Sequence, residues 1–150
     1  MDKTTLELRV PSELGNEKFA MEFAEDVALE MGLPQDKIEN LKIAVSEACL
    51  NAIEHGNKQK ASMKVMIDFT LDESQLEINV QDQGGSFVPE SIGEPNLKER
   101  IESHDDKKRG WGMFMIKNMV DEMEYLDMEG GTHLRMIIKV PKEREGNGNG

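Results

Sequence analysis

One segment limits the folds open to this chain more than any other: PQDKIENLKIAVSEACLNAIEHGN, from Pro34 to Asn57. Ile38, Leu41, Val45, Ala48, Cys49 and Ala52 recur at helical spacing and form one apolar stripe on a 3.6-residue wheel. Glu47, Asn51, Glu54 and His55 stand at i, i+4, i+7 and i+8, which groups them on a polar face beside that stripe. Pro34 suits the first turn of such a helix and Gly56 the residue just past its end. A carboxylate, an amide and an imidazole on one rigid ridge have the chemistry to hold a metal or a phosphate. The same residues also make an ordinary solvated face. The helix alone leaves both readings open.

The rest of the chain surrounds this helix with strands. Lys3 to Val10 alternates, with Leu6, Leu8 and Val10 facing one way, and Pro11 ends the strand. Ser12 then offers an N-cap for a helix running to about Met31, with Phe19, Phe23, Val27 and Met31 at four-residue steps and Gly32 closing it. Beyond the central helix, Ala61 to Leu71 alternates through Met63, Val65, Ile67 and Phe69. A turn at Asp72-Glu73-Ser74 returns the chain through Leu76, Ile78 and Val80, which is a β-hairpin.

From Val88 to Arg109 the pattern dissolves into proline, glycine and charge, a length typical of lids, binding loops or disorder. Asn96 to Ser103 has the makings of a short helix within it. Arg109-Gly110-Trp111-Gly112 opens a further helix that turns Met113, Ile116, Met119 and Val120 inward. Two alternating strands, Glu122–Met128 and Thr132–Val140, finish the chain around Glu129-Gly130-Gly131. The order β-α-α-β-β-loop-α-β-β, with strands joined as hairpins, predicts an α+β sandwich with a mostly antiparallel sheet and its helices on one face.

Length and charge narrow the function. The 150 residues suit one domain, residues 1–150, with 141–150 expected to be a disordered tail. A formal net charge of −12 argues against a nucleic-acid partner held through phosphate contacts. It leaves room for a small anion, because backbone N–H groups and a cation can make a positive pocket locally. The single cysteine, Cys49, lies on the apolar stripe and offers no disulfide framework, which points to a reducing compartment. No run approaches the roughly eighteen apolar residues of a membrane span, and MDKTTLELRV lacks a signal-peptide core. A soluble, cytoplasmic protein is expected. The eleven methionines read as core filler, and His104 and His133 as surface or strand residues. Lys107 and Lys108 belong to a solvated loop or steer phosphates.

Two segments besides the central helix point to chemistry. Asp82-Gln83-Gly84 leaves a strand end, where glycine supplies a positive φ or lets a ligand approach the backbone. Arg109-Gly110-Trp111-Gly112 exposes N–H groups at a helix start, where the helix dipole favours anions. The P-loop and dinucleotide fingerprints are absent. What is present, in order, is E-x-x-x-N-x-x-x-H on a helix, D-x-G at a strand end, a lid-length loop, G-x-G and a late Gly-Thr. This set resembles the Bergerat ATP-binding domain of gyrase B and histidine kinases. VSEACLNAIEHGN followed by RGWGMFMIKNMVDEMEY is closer still to the anti-sigma factor serine-protein kinases of bacterial partner-switching systems, over roughly residues 5 to 140.

The resemblance implies a Bergerat-type two-layer sandwich and an ATP- and Mg²⁺-dependent kinase. It makes Glu47 the general base toward a serine hydroxyl, Asn51 a Mg²⁺ ligand and His55 a phosphate contact. Asp82 accepts a hydrogen bond from the adenine amino group, Gly84 lets the base lie close and Thr132 stands near that aspartate. Gly110 and Gly112 present N–H groups to phosphates, and Arg109 adds charge. The implied partners are a small anti-sigma factor antagonist protein, phosphorylated on serine, a sigma factor and a second copy in a homodimer. Direct nucleic-acid contact and a membrane are not among them. No helical segment bearing a phosphoacceptor histidine accompanies these motifs, unlike a complete histidine kinase. Two positions depart from the family pattern: Ser86 stands where a glycine is usual, and Trp111 where a smaller aliphatic residue is usual. They keep a second expectation in view, a catalytically weak nucleotide-dependent binding module regulating another partner.

Overall fold

Alternating apolar side chains can bury one face of a sheet only if a second layer covers it, and the chain builds that layer from its helices. The computed structural model describes residues 3–83, 104–128 and 131–141. Within them the order is β1 (Thr4–Pro11), α1 (Glu17–Met31), α2 (Gln35–Asn51) continued by a π-helical turn (Ala52–Gly56), β2 (Lys64–Leu71), β3 (Gln75–Gln81), α3 (His104–Met119), β4 (Glu122–Met128) and β5 (Gly131–Lys139). The strands form one five-stranded sheet in the order β1-β2-β3-β5-β4, and every neighbouring pair is antiparallel. The lid-length stretch from Gly84, including Ser86 and the Asn96–Ser103 helix, and the tail from Lys142 lie outside the described residues.

Val65, Ile67 and Phe69 of β2, Leu76, Ile78 and Val80 of β3, and Leu134, Met136 and Ile138 of β5 are buried against the helices. The α2 stripe Ile38, Leu41, Val45, Ala48 and Cys49 fills the space between the layers, with Ala52 of the π turn continuing it. Burying one large aliphatic side chain contributes about 1.5–3 kcal/mol, so this helix anchors the fold. It packs against α1 on one side and α3 on the other. The other sheet face carries a polar row across the register: Glu7, Asp68, Asn79, Arg135 and Glu124.

Four local expectations are corrected. The first helix begins at Glu17, not after Ser12. Ser12 is buried and its hydroxyl donates to the Met63 carbonyl at 2.7 Å, so it closes the end of β1 instead of capping a helix. Phe19 is 60% exposed, while Ala20, Ala24, Val27 and Ala28 form the inner face of α1. A strict four-residue step gains about 40° per step on an α-helix, so Phe19 and Met31 stand about 120° apart. Only Phe23 of the two phenylalanines reaches the core, edge-on to Phe69 with centroids 5.1 Å apart. Gly32 does end α1, in the left-handed conformation at φ 77°. The second strand starts at Lys64, because the chain turns at residues 58–59 and again at 61–62. The last helix starts at His104, five residues before Arg109, and nothing in HDDKK interrupts it.

Candidate active site

The central helix ends where the site begins. After Asn51 the backbone widens into the π turn, whose last bond runs from Asn57 N to the Ala52 carbonyl at 2.8 Å. Such turns insert one residue per turn and recur at functional positions. Here the turn helps shape a cleft of about 370 Å³, partly open to solvent, between α2, α3 and the ends of β3 and β5. Ala48, Val80, Met113 and Leu134 give it apolar walls. Asn51, His55, Asp82, Tyr125 and Thr132 give it polar groups that converge.

Asp82, 9% exposed, stands just past β3 and is held from β5. Its N–H donates to the Thr132 carbonyl at 3.1 Å, and the Thr132 N–H donates back to Oδ1 at 3.3 Å. The Thr132 hydroxyl donates to Oδ2 at 2.5 Å, and Tyr125 OH lies 3.5 Å from the same hydroxyl oxygen. Two glycines make this arrangement sterically open. A Cβ on Gly56 would overlap the Asp82 carboxylate, and one on Gly131 would overlap the Asp82 carbonyl oxygen. Gly131 also has φ 153°, which other residues rarely adopt.

Asn51 is 7% exposed, and its Nδ2 is buried without a hydrogen-bond partner among the described residues. A buried amide donor left so is costly, and a ligand entering the cleft would satisfy it. The two ends of a carboxamide exchange by a flip, so Asn51 can turn nitrogen toward a phosphate or oxygen toward a cation. No cluster of three or more His, Cys, Asp and Glu side chains suited to a metal occurs among the described residues. A cation here would therefore rest on the Asn51 oxygen together with ligand oxygens and water, which suits Mg²⁺. His55 Nε2 lies 3.8 Å from the Glu54 carboxylate at the same end of the cleft.

Glu47 lies one helical turn before Asn51 and is half-buried. Gly112 of α3 passes directly over it: a Cβ there would overlap Glu47 Oε2 and stand 3.1 Å from Cδ. Gly110 and Gly112 fall inside α3, six and eight residues beyond its start at His104, rather than opening the helix. The expected helix start at Arg109 is therefore corrected, and N–H groups that far inside a helix bond to its own carbonyls. Gly112 instead gives Glu47 room. Arg109 lies on the same helix, and Gly84 lies outside the described residues.

The structure thus brings Asn51, His55, Asp82 and Thr132 to one cleft, with Glu47 and Gly112 beside it. Sequence reasoning missed the packing role of Gly56, the cleft residues Met113 and Tyr125, and Asn57 altogether. For Gly56 and Asn57 the signal was available, since they are the two residues after His55. Tyr125 gave none, because an aromatic on a strand usually reads as core.

An antiparallel sheet under a helical layer, with a polar ridge on the central helix facing an aspartate at a strand end, defines a nucleotide-binding ATPase domain of the Bergerat fold. A match to the histidine kinase-like ATPase domain family spans residues 10–138, and the chain belongs to that family. It is 35% identical over 130 residues to the serine-protein kinase RsbW of Bacillus thuringiensis (strain Al Hakam), covering 81% of this chain and 78% of that one. RsbW of Bacillus cereus (strain 03BB102) gives the same identity and coverage. Among solved structures, the RsbU and RsbW domains of Rv1364c from Mycobacterium tuberculosis align with a TM-score of 0.66 at 17% identity, over 91% of this chain and 32% of that one. The SiaB-SiaC complex from Pseudomonas aeruginosa aligns with a TM-score of 0.56 at 9% identity, over 90% and 89% of the two chains. No helix among the described residues is long and apolar enough to cross a membrane.

Proposed function

We propose that this chain is an ATP-dependent serine protein kinase and anti-sigma factor. It transfers the γ-phosphate to a serine of a small antagonist protein and sequesters a sigma factor. One observation carries the reading: Asn51 and a Thr132-bound Asp82 open onto a single cleft, with Glu47 one turn along the same helix. Asp82 accepts a hydrogen bond from the adenine amino group, and Thr132 holds the carboxylate for it. Asn51 would hold Mg²⁺ through its amide oxygen, and the ion supplies neutralisation of phosphate charge. Glu47 takes the proton of the attacking serine hydroxyl as the oxygen forms its bond to the γ-phosphorus and ADP leaves. By the family likeness we assign His55 and Arg109 to the phosphates and Gly84 to the base. The active chain is one domain over residues 1–150, a homodimer, working in the cytoplasm without direct nucleic-acid contact.

Calorimetry with Mg-ATP and transfer of labelled γ-phosphate to the antagonist test this together. Asp82→Asn replaces an acceptor oxygen with a donor and should weaken ATP binding about 10–100-fold, since leaving one such buried group unmatched costs about 1–3 kcal/mol. Glu47→Ala should keep binding and abolish transfer. Binding with no transfer from the wild type would instead identify a nucleotide-dependent binding module, and equal heats from wild type and Asp82→Asn would remove the base-pocket assignment.

A further inference from the structure

We infer that Asn57 is a positioning residue of the base pocket: its buried carboxamide fixes the turn carrying Asp82, and so sets how sharply the site separates a 6-amino purine from its 6-oxo counterpart. The inference rests on the reading of Asp82 as the group that meets the base. Asn57 is 1% exposed and directly follows the π turn. Its Nδ2 donates to Ser12 Oγ at 2.8 Å and to the Lys64 carbonyl at 3.0 Å. Its Oδ1 accepts the backbone N–H of Gln83 at 2.8 Å. One amide therefore joins the end of β1, the start of β2 and the residue immediately after Asp82.

Gln83 is held a second time, its Oε1 accepting the Lys64 N–H at 2.7 Å. On the other side, Asp82 is bonded to Thr132 through its own N–H and both carboxylate oxygens. The peptide between residues 82 and 83 is thus fixed at both ends. Removing the Asn57 acceptor frees one end and lets the carboxylate turn about Thr132. The chain spends conformational strain to place this amide. Lys58 and Gln59, the next two residues, both adopt left-handed backbone at φ 53° and 60°, although neither is glycine. The Lys60 N–H then bonds back to the Asn57 carbonyl at 3.0 Å, and the Gln59 N–H to that of Ile53 at 2.7 Å. The loop closes on the residue whose side chain accepts the Gln83 N–H.

A role in overall stability alone predicts something different from a role in selectivity. Ser12→Ala removes a partner of the same amide without touching Gln83. Asn57→Asp keeps an acceptor for the Gln83 N–H while losing both donated bonds. Calorimetry with ADP and with inosine diphosphate, on each full-length variant, reads the ratio of the two affinities. The wild type should favour ADP by about tenfold or more, because the 6-oxo base brings no donor to Asp82. Asn57→Ala should cut that ratio several-fold, Asn57→Asp should restore most of it, and Ser12→Ala should lower the melting temperature at an unchanged ratio.

A folded Asn57→Ala that keeps the wild-type ratio overturns the inference and leaves the reading of Asp82 intact. Equal affinities for the two nucleotides in the wild type overturn that reading, and the inference with it. If Asn57→Ala does not fold, amide hydrogen exchange on the wild type decides. The Gln83 N–H, outside the strand ladder, should be protected as strongly as β3, and exchange at the rate of an open turn sinks the proposal.

Discussion

Gly112→Ala should separate phosphoryl transfer from nucleotide binding. Gly112 lies inside α3, where alanine is favoured over glycine by about 0.5–1 kcal/mol, so the helix itself should tolerate the change. The three atoms nearest the new methyl all belong to Glu47. It would overlap Glu47 Oε2, with Cδ at 3.1 Å and Cγ at 3.2 Å. Ordinary contact begins at 3.4 Å, so the root of the side chain need give only a few tenths of an ångström. The carboxylate end must swing by about 1 Å, and a displacement of that size in a reacting group costs about 10²-fold in rate. That corresponds to about 2.7 kcal/mol in the barrier. Single-turnover transfer from ATP to the antagonist should fall by this factor, while the ADP affinity measured by calorimetry stays as in wild type. Adding Gly112→Ala to Glu47→Ala should cost nothing further, because both act through the same carboxylate. The reasoning is refuted by a folded Gly112→Ala that transfers at the wild-type rate, or by a loss of ADP affinity as large as the loss of transfer.

Two further predictions concern groups away from the cleft. Burial and the like charge of Glu7, directly opposite in the β1–β2 register, raise the Asp68 carboxyl above its ordinary 3.8, and Oδ1 has no hydrogen-bond partner among the described residues. A carboxyl raised in the fold favours folding fully below its unfolded pKa, and that contribution is lost as pH rises through the folded value. Asp68→Asn should therefore melt higher than wild type at pH 7, with the difference vanishing below about pH 4; a lower melting temperature at pH 7 would contradict the burial argument. Burial, with a smaller effect from Glu17, pushes the Cys49 thiol up to about 12. Native protein at pH 8 should then react with a thiol reagent only as fast as it unfolds, and rapid labelling of the folded state would show the stripe to be open.

The strands and the central helix were legible because each depends on one period. Val65, Ile67 and Phe69, or Leu134, Met136 and Ile138, alternate without interruption, and the α2 stripe is buried as its wheel requires. Asp82 and Thr132 were legible as a pair only through family likeness, since fifty residues separate two residues that share three hydrogen bonds. The errors fell where a local signal met a tertiary competitor. Ser12 looks like a helix cap, but its hydroxyl donates to the Met63 carbonyl and accepts from the Asn57 amide, both in the segment before β2. Gly110 and Gly112 look like a helix start, but the helix extends upstream through HDDKK and one of the two glycines serves Glu47 instead. Close approach of backbone to a distant side chain leaves no periodic trace.

Gly56 shows how far that blindness reaches, and what the π turn contributes. Read as the residue after a helix, its glycine needs no further explanation. On an unbroken α-helix, a residue five beyond Asn51 would stand about 140° round the axis from it, away from the cleft. The i→i+5 bonding of the π turn brings the chain back by one residue, and Gly56 lines the same cleft as Asn51. It is there that a side chain cannot fit, because the Asp82 carboxylate already occupies the space a Cβ would take. The helix end and the strand end thus approach more closely than any residue but glycine allows. The same widening delivers Asn57 to Gln83, so one irregular turn sets both a wall of the cleft and the clasp behind Asp82.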